Sequence, residues 1–432
     1  MSKPRRSCAW FLFWIFFFPP VFQAYPYLPV SSFYIGFVLS GSCVIIAILN
    51  SRRFIGKVVG SYKTPLFLVI SIYSVLVFIS NPNLESVWLI YKLHILLIGG
   101  LLYGKEVLDL ASNLSSRLPF FSLLIWIFCG LIYYGVASRG FILGDRLGLG
   151  SPNFAGSLIL PLIIFVCLVI SSCNNTNQLA LVICFQLIPL FLLLLLTNSR
   201  QNIGTASVLI FCSLFFDHFR ISRLNKKWLY FLPAVLFIWI LVNPLFQDLI
   251  VASTASIRNR GGFKLLDEGR VWLWGFYIEY INKNGVAWLG STNLDYMLLN
   301  SDGTPVYIRI FNGFMKLTAP HNFVLESMFN YGIIPTFVLL SSIAMSLKRM
   351  FKDTINTKSV LYIYDLGIYP LFVSVLILYM GLNDNFFASL WGPPAFVFWF
   401  LIGMHQSLRF DPLHRAVANK DQRALTSVLP GH

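Results

Sequence analysis

The chain has 432 residues, 57% of them hydrophobic and only 11% charged, with a mean hydropathy of +0.73 and a formal net charge of +15. A soluble domain carries about a quarter charged residues, so the composition excludes an ordinary water-soluble protein and predicts apolar runs long enough to cross a bilayer. The positive charge is placed as an orientation signal, as shown below, and no nucleic-acid partner is expected.

Twelve apolar stretches follow along the sequence, over residues 8–24, 32–50, 64–80, 87–104, 118–137, 154–172, 179–197, 203–217, 228–243, 321–346, 361–381 and 386–406. The expected fold class is all-α polytopic, with about 12 transmembrane helices. Lys3, Arg5 and Arg6 precede the first stretch as in a signal peptide, but Pro19 and Pro20 interrupt it and "FQAYPYLPV" makes a poor cleavage site. It is therefore read as a span. In the fourth stretch, Lys92 and His94 stand out within "VWLIYKLHILL", because ionisable residues inside spans are functional suspects.

The alternate loops assign the sides. Of the 32 Lys and Arg residues, 21 fall on the face shared with the N-terminus, 10 on the opposite face, and Lys92 within a span. The positive-inside rule then makes both termini cytoplasmic. Attraction to anionic membrane lipids is a by-product. The seven cysteines lie in or beside apolar stretches without C-x-x-C spacing and read as buried small hydrophobes. Six scattered histidines, with no Asp-x-Asp or His-Glu-x-x-His, give no reason to expect a metal, and no cofactor is implied.

Residues 1–243 thus hold spans 1 to 9, 244–320 form a long external loop, 321–406 hold spans 10 to 12, and 407–432 form a cytoplasmic tail. Loops longer than about 15 residues are usually functional or disordered. Within this one, "GRVWLWGFYIEYINKNGVAWLG" has aromatic and apolar residues at helical spacing with Gly at both ends. The loop is read as a subdomain with one or two amphipathic helices on the membrane surface.

Three external positions stand out. Arg200, in "LTNSRQNIG", follows a very apolar span, and a guanidinium there either snorkels to the interface or meets a partner. Arg270 opens the amphipathic segment, either as a surface residue paired with Asp267 or Glu268, or, with Arg258, Arg260 and Lys264 before it, as part of a cationic site for an anionic ligand. His321 begins the tenth stretch, as an interfacial residue or as a group able to titrate near neutrality. Asn322 after it is a plausible N-cap, with Glu326 about one turn further on.

The stretch "HNFVLESMFNYG" resembles the histidine signature of the bacterial O-antigen ligase and O-antigen polymerase family, in which His-Asn is followed after nine residues by Gly. That family also has an "SR" element closing a very apolar span, matched by Ser199 and Arg200. Its "GR...W" element opening the long periplasmic loop is matched by Gly269, Arg270 and Trp272 or Trp274. The resemblance covers residues 180 to 400; the first half agrees only in topology.

What the resemblance implies is a GT-C-like, metal-independent glycosyltransferase at the periplasmic face of the bacterial inner membrane. The implied donor is a glycan on undecaprenyl pyrophosphate. The acceptor is lipid A core in a ligase, or another lipid-linked repeat in a polymerase, and a chain-length regulator is a further partner to expect. Arg200 and Arg270 would hold the donor pyrophosphate, His321 would activate the acceptor hydroxyl or stabilise the transition state, and Arg258, Arg260, Lys264, Asn322, Trp272 and Trp274 would line the substrate. Trp272, Trp274, Tyr277, Tyr280 and Trp288 would stack on sugar rings or anchor the segment in the interface.

The ligase pattern continues Gly-x-x with Gly, Thr or Tyr, whereas here Pro335 follows Gly332, Ile333 and Ile334, a departure that favours polymerase. Pro335 is also a place for the tenth helix to kink. A lipid-glycan transporter is the competing class, with Lys92 and His94 as its path residues, although no internal repeat is visible.

Overall fold

The structure, a computed structural model, describes residues 3–19, 21, 32–49, 56, 58–61, 64–116, 118–137, 152–171, 173, 176–197, 199–214, 268–291, 307–310, 313–316, 322–356, 373–374, 377–378, 390 and 392–409. The expected ninth span lies outside them, as does nearly all of the eleventh.

These residues are overwhelmingly helical. In chain order the helices are α1 (Lys3–Leu12), α2 (Ser32–Leu49), α3 (Pro65–Ser80), α4 (Leu84–Ser116), α5 (Leu118–Ala137), α6 (Pro152–Ser171), α7 (Thr176–Val182), α8 (Ile188–Leu196), α9 (Arg200–Cys212), α10 (Glu268–Asn284), α11 (Phe323–Tyr331), α12 (Ile333–Asn356) and α13 (Pro393–Arg409). A π-helical turn over Phe13–Phe17 extends α1, and a second over Ile183–Leu187 joins α7 to α8. The departure from an all-α chain is an antiparallel hairpin in the long loop, in which β1 (Tyr307–Ile310) pairs with β2 (Gly313–Lys316).

Among the described residues, Leu84–Ala111, Thr176–Leu196 and Ile333–Lys352 are long and apolar enough to cross a membrane, and five shorter helices are similarly apolar. Their apolar residues face both inwards and outwards. On α5, Ile125 and Ile132 are buried while Phe120, Leu123, Trp126 and Tyr134 are exposed. A helix apolar all round suits a lipid surround rather than water.

The core is built around α4. Its 33 residues span about 50 Å at the standard rise, more than the roughly 30 Å bilayer core. It packs most closely on α13, where Gly100 faces the carbonyl of Phe400 and Gly403 faces that of Leu97. A Cβ at either glycine would collide with that backbone oxygen. Small residues are what let membrane helices approach this closely.

Relative helix directions follow from the cross-links. The hydroxyls of Ser7 and Tyr103 are 2.6 Å apart and Phe11 lies against Gly99, so α1 runs antiparallel to α4. Tyr91 donates to the Phe37 carbonyl and Tyr103 to that of Cys43, both at 3.0 Å, so α2 runs parallel to α4. Lys92 meets Leu390 and Gly104 meets Met404, which makes α13 parallel too. Strict alternation of the expected spans 1, 2, 4 and 12 requires these same directions.

One expected span is described only in part, and another is corrected. The apolar pattern predicts a twelfth span over 386–406; residues 386–389 and 391 lie outside the described residues, and α13 begins at Pro393, after Leu390 adopts φ 50° and Gly392 accepts the Ala395 amide at 3.0 Å. The tenth was expected as one helix, with Pro335 as its place to bend. The chain instead breaks at Gly332 (φ 98°, ψ 175°). Pro335 sits in the first turn of α12, where its missing N–H leaves no helical bond unmade.

Candidate functional site

The site builds from the start of α11. Asn322 is extended (φ −148°, ψ 117°), and its Oδ1 accepts the amides of Val324 at 3.0 Å and Leu325 at 3.3 Å. Its carbonyl accepts the Glu326 amide at 2.9 Å, closing the first helical turn. The N-cap read for Asn322 is thus observed, and such caps contribute about 1 kcal/mol. His321, the residue before it in sequence, lies outside the described residues.

At its other end α11 stops because Gly332 takes a backbone conformation that is essentially reserved for glycine. The break has a use. The amides of Ile333 and Ile334 donate to the carbonyls of Ala287 and Trp288, each at 3.0 Å, and the Gly290 amide donates to the Tyr331 carbonyl at 3.1 Å. The chain just after α10 is thus docked by backbone bonds onto the α11–α12 junction. A Cβ on Gly332 would stand 2.9 Å from both the Ala287 and Trp288 oxygens. Thr336 braces the junction, donating to the Gly332 carbonyl at 2.8 Å with its hydroxyl 3.0 Å from that of Ser327.

Helix α10 is joined to α11 a second time through aromatic rings. Tyr277, fully buried, stands edge-on to Phe329 with centroids 5.4 Å apart, and Tyr280 meets the same ring at 6.2 Å. The outer face of α10 carries the exposed Lys283–Glu279 pair at 2.6 Å. The helix ends at Gly285, whose φ of 73° turns the chain towards its docking point. Burial, and then the negative charge of Glu326, hold the Tyr277 phenol well above its ordinary titration range.

Glu326 lies at the centre of this arrangement. It is 7% exposed and acts electrostatically on Tyr277 from α10 and on Tyr331 of its own helix. Tyr331 also feels Glu85 at the start of α4, while Tyr73 of α3 meets Ser327 and Tyr331. A carboxylate in the first turn of a helix gains from the positive end of the helix dipole.

Arg270 and Trp272 fall on α10 in the backbone, though the described side chains of this helix start at Trp274, which is half-buried. Arg258, Arg260 and Lys264 lie outside the described residues. Tyr277 and Phe329 meet seven residues after Arg270 and seven after Asn322 in sequence. Tyr277, read as a residue for stacking on sugars or anchoring in the interface, is core; Trp288 is 71% exposed and remains available for either role.

Arg200 is the first residue of α9. Ser199 caps that helix, with its Oγ accepting the Asn202 amide at 3.4 Å and side-chain amide at 2.7 Å. Thr197 supports the turn, donating to the Leu194 carbonyl at 2.7 Å and accepting the Ser199 amide at 3.2 Å. The chief contacts of α9 are with α6, through Gly156 against Ser199 and Asn202, and with α8. The structure brings α10 and α11 together, whereas α9, which Arg200 opens, has its chief contacts with α6 and α8.

Lys92 and His94 have defined partners. Lys92 Nζ, 4% exposed as a residue, donates to the Leu390 carbonyl at 2.9 Å, and His94 Nε2 lies 3.1 Å from the Ser74 hydroxyl. No family model matches this chain, and no curated protein sequence matches it significantly.

Proposed function

We propose that this protein is a polytopic protein of the bacterial inner membrane, with about twelve spans in a GT-C-like arrangement and both termini in the cytoplasm. Its long loop faces the periplasm and works with the outer ends of the spans as a metal-independent glycosyltransferase. The donor is a glycan on undecaprenyl pyrophosphate, and the product is a lengthened surface polysaccharide, making the protein an O-antigen polymerase or a close functional relative.

The observation that carries this proposal is the double attachment of α10 to α11. The signature asparagine caps α11 and the signature glycine receives the docked chain after α10. Those two signature residues therefore have reasons to occupy their spacing. The helix that opens with Arg270 is fixed to the helix that follows His321, as a shared site requires.

The chemistry follows from the residue types. A polyprenyl pyrophosphate leaves with growing negative charge, which arginines stabilise through bidentate hydrogen bonds without a metal. Arg200 and Arg270 are assigned this task, with Arg258, Arg260 and Lys264 adding to the cationic surface. The acceptor hydroxyl must lose its proton as the new glycosidic bond forms, and His321 is assigned as the base.

Ligase activity towards lipid A core is the second reading within the same chemistry. A transporter is less well supported, because Lys92 and His94 are engaged with Leu390 and Ser74. The test is transfer by the purified protein in nanodiscs, using a short lipid-linked oligosaccharide and excess chelator. Elongated lipid-linked glycan supports polymerase, transfer only to added lipid A core identifies ligase, and no transfer with either acceptor contradicts the enzyme assignment.

A further inference from the structure

We propose that Trp288 and Leu289, at the tip of the chain docked after α10, insert into the membrane interface beside α12 and hold the long loop against the lipid headgroups. The inference rests on the membrane-protein reading of the chain and is independent of the reaction assigned to it. It gives Trp288 a lipid rather than a sugar as its partner.

The level of this tip follows from what it touches. The Ala287 and Trp288 carbonyls accept the amides of Ile333 and Ile334, the first two residues of α12, which opens the membrane-crossing stretch Ile333–Lys352. Two residues on, a Cβ on Gly290 would stand 3.8 Å from the carbonyl oxygen of Ser80, the last residue of the apolar helix α3. After Ser80 the chain turns through Asn81, Pro82 and Asn83, a polar turn that leaves the apolar run. The tip is therefore held at the ends of two apolar helices, where hydrocarbon gives way to water.

Exposure shows what the tip faces. Trp288 is 71% exposed, and Leu289 is exposed as well. Along α12, Ile334, Phe337 and Ala344 form one exposed stripe at helical spacing, with Phe337 70% exposed, while the helix packs its buried side on α3. An apolar stripe left exposed on a membrane-crossing helix faces acyl chains. The docking bond to Ile334 puts Trp288 at the head of that stripe. Tryptophan suits this level, because its ring is apolar and its indole N–H can reach the wet headgroup region. A sugar platform needs polar groups placed to fix hydroxyls, and Leu289, Ile334 and Phe337 supply none. The exposed Lys283–Glu279 pair lies before the Gly285 turn, on the helix that this anchor holds.

The experiment uses the full-length protein in nanodiscs and takes the difference in emission between wild type and Trp288→Phe as the signal of Trp288. The quenchers are phosphatidylcholines brominated near the headgroup or near the chain ends, and iodide in the water. The expected result is loss of most of the signal to bromines near the headgroup and little loss to bromines at the chain ends. Iodide should quench it less than the added emission of a Lys283→Trp control. A signal quenched by iodide as in that control, and untouched by either bromolipid, overturns the proposal. So does one that ignores bromolipid but changes on adding a short lipid-linked oligosaccharide, which identifies a sugar platform. If Trp288→Phe does not accumulate, the added emission of Leu289→Trp is read against the same outcomes. Bromolipids must also dim the remaining tryptophans, among them the exposed Trp10 and Trp126 on apolar helices α1 and α5; failure there would instead remove the membrane reading.

Discussion

Tyr277 lies fully buried and edge-on to Phe329, with ring centroids 5.4 Å apart, and this contact fastens α10 of the long loop to α11. Aromatic pairs of this kind contribute about 0.5–1.5 kcal/mol beyond the area they bury. Phe329→Ala removes the pair and leaves a cavity, at a cost of about 3–5 kcal/mol. Limited proteolysis of the 244–320 loop should accelerate in Phe329→Ala while the transmembrane helices remain protected. Equal protection of the loop in both proteins would contradict the clamp.

The same contact has a pH dependence. The Tyr277 phenol is pushed up by burial first and by Glu326 second, so its folded-state value exceeds its unfolded one. Stability from the neutral phenol is fully present below about pH 10, the ordinary tyrosine value, and is lost as pH rises from there towards the folded value. Loop protection should therefore decline above that pH in wild type. Tyr277→Phe, which cannot ionise, should lose this alkaline step.

Gly332→Ala tests the docking of the chain after α10. At φ 98° and ψ 175° an alanine costs about 1–3 kcal/mol in backbone strain, and its Cβ would press on the Ala287 and Trp288 oxygens. Faster hydrogen exchange is expected at the amides of Gly290, Ile333 and Ile334, which make the docking bonds. Unchanged exchange there would mean that the bonds are not held by this glycine.

Much of this was legible in the sequence because membrane helices are written in long apolar runs. The helices α2, α3 and α5 to α9 fall close to the expected stretches, whereas α4 runs on to Ser116, twelve residues past the expected end at 104, and Asn322 behaves as the cap its type and position suggest. The break at Gly332 was harder to read, since Pro335 nearby is the more familiar helix breaker. Only the docked carbonyls of Ala287 and Trp288 explain why the chain turns three residues earlier. The burial of Tyr277 was illegible for a related reason, because an aromatic on an amphipathic helix serves a sugar, a lipid or a neighbouring ring equally well. Ahead of α13, the Leu390 carbonyl accepts from the Lys92 ammonium 298 residues away, a contact that local periodicity does not reveal.

Lys92→Met distinguishes a structural lysine from a transport residue. Removing the donor leaves the Leu390 carbonyl buried without this bond, and such a loss costs about 1–3 kcal/mol. The variant should melt at a lower temperature in detergent yet make glycan in proportion to the folded protein present. Abolished product from a fully folded Lys92→Met protein would return this residue to the functional path.

The central claim is that Arg270 and His321 serve one transfer reaction, and gel banding of surface polysaccharide from a deletion strain tests it most directly. The strain is complemented with wild type, Arg270→Ala or His321→Ala, and membrane levels of each protein are matched. The account predicts a full ladder with wild type, and with either variant the pattern of the deletion itself, core bearing a single repeat unit. A wild-type ladder from both well-expressed variants would contradict it.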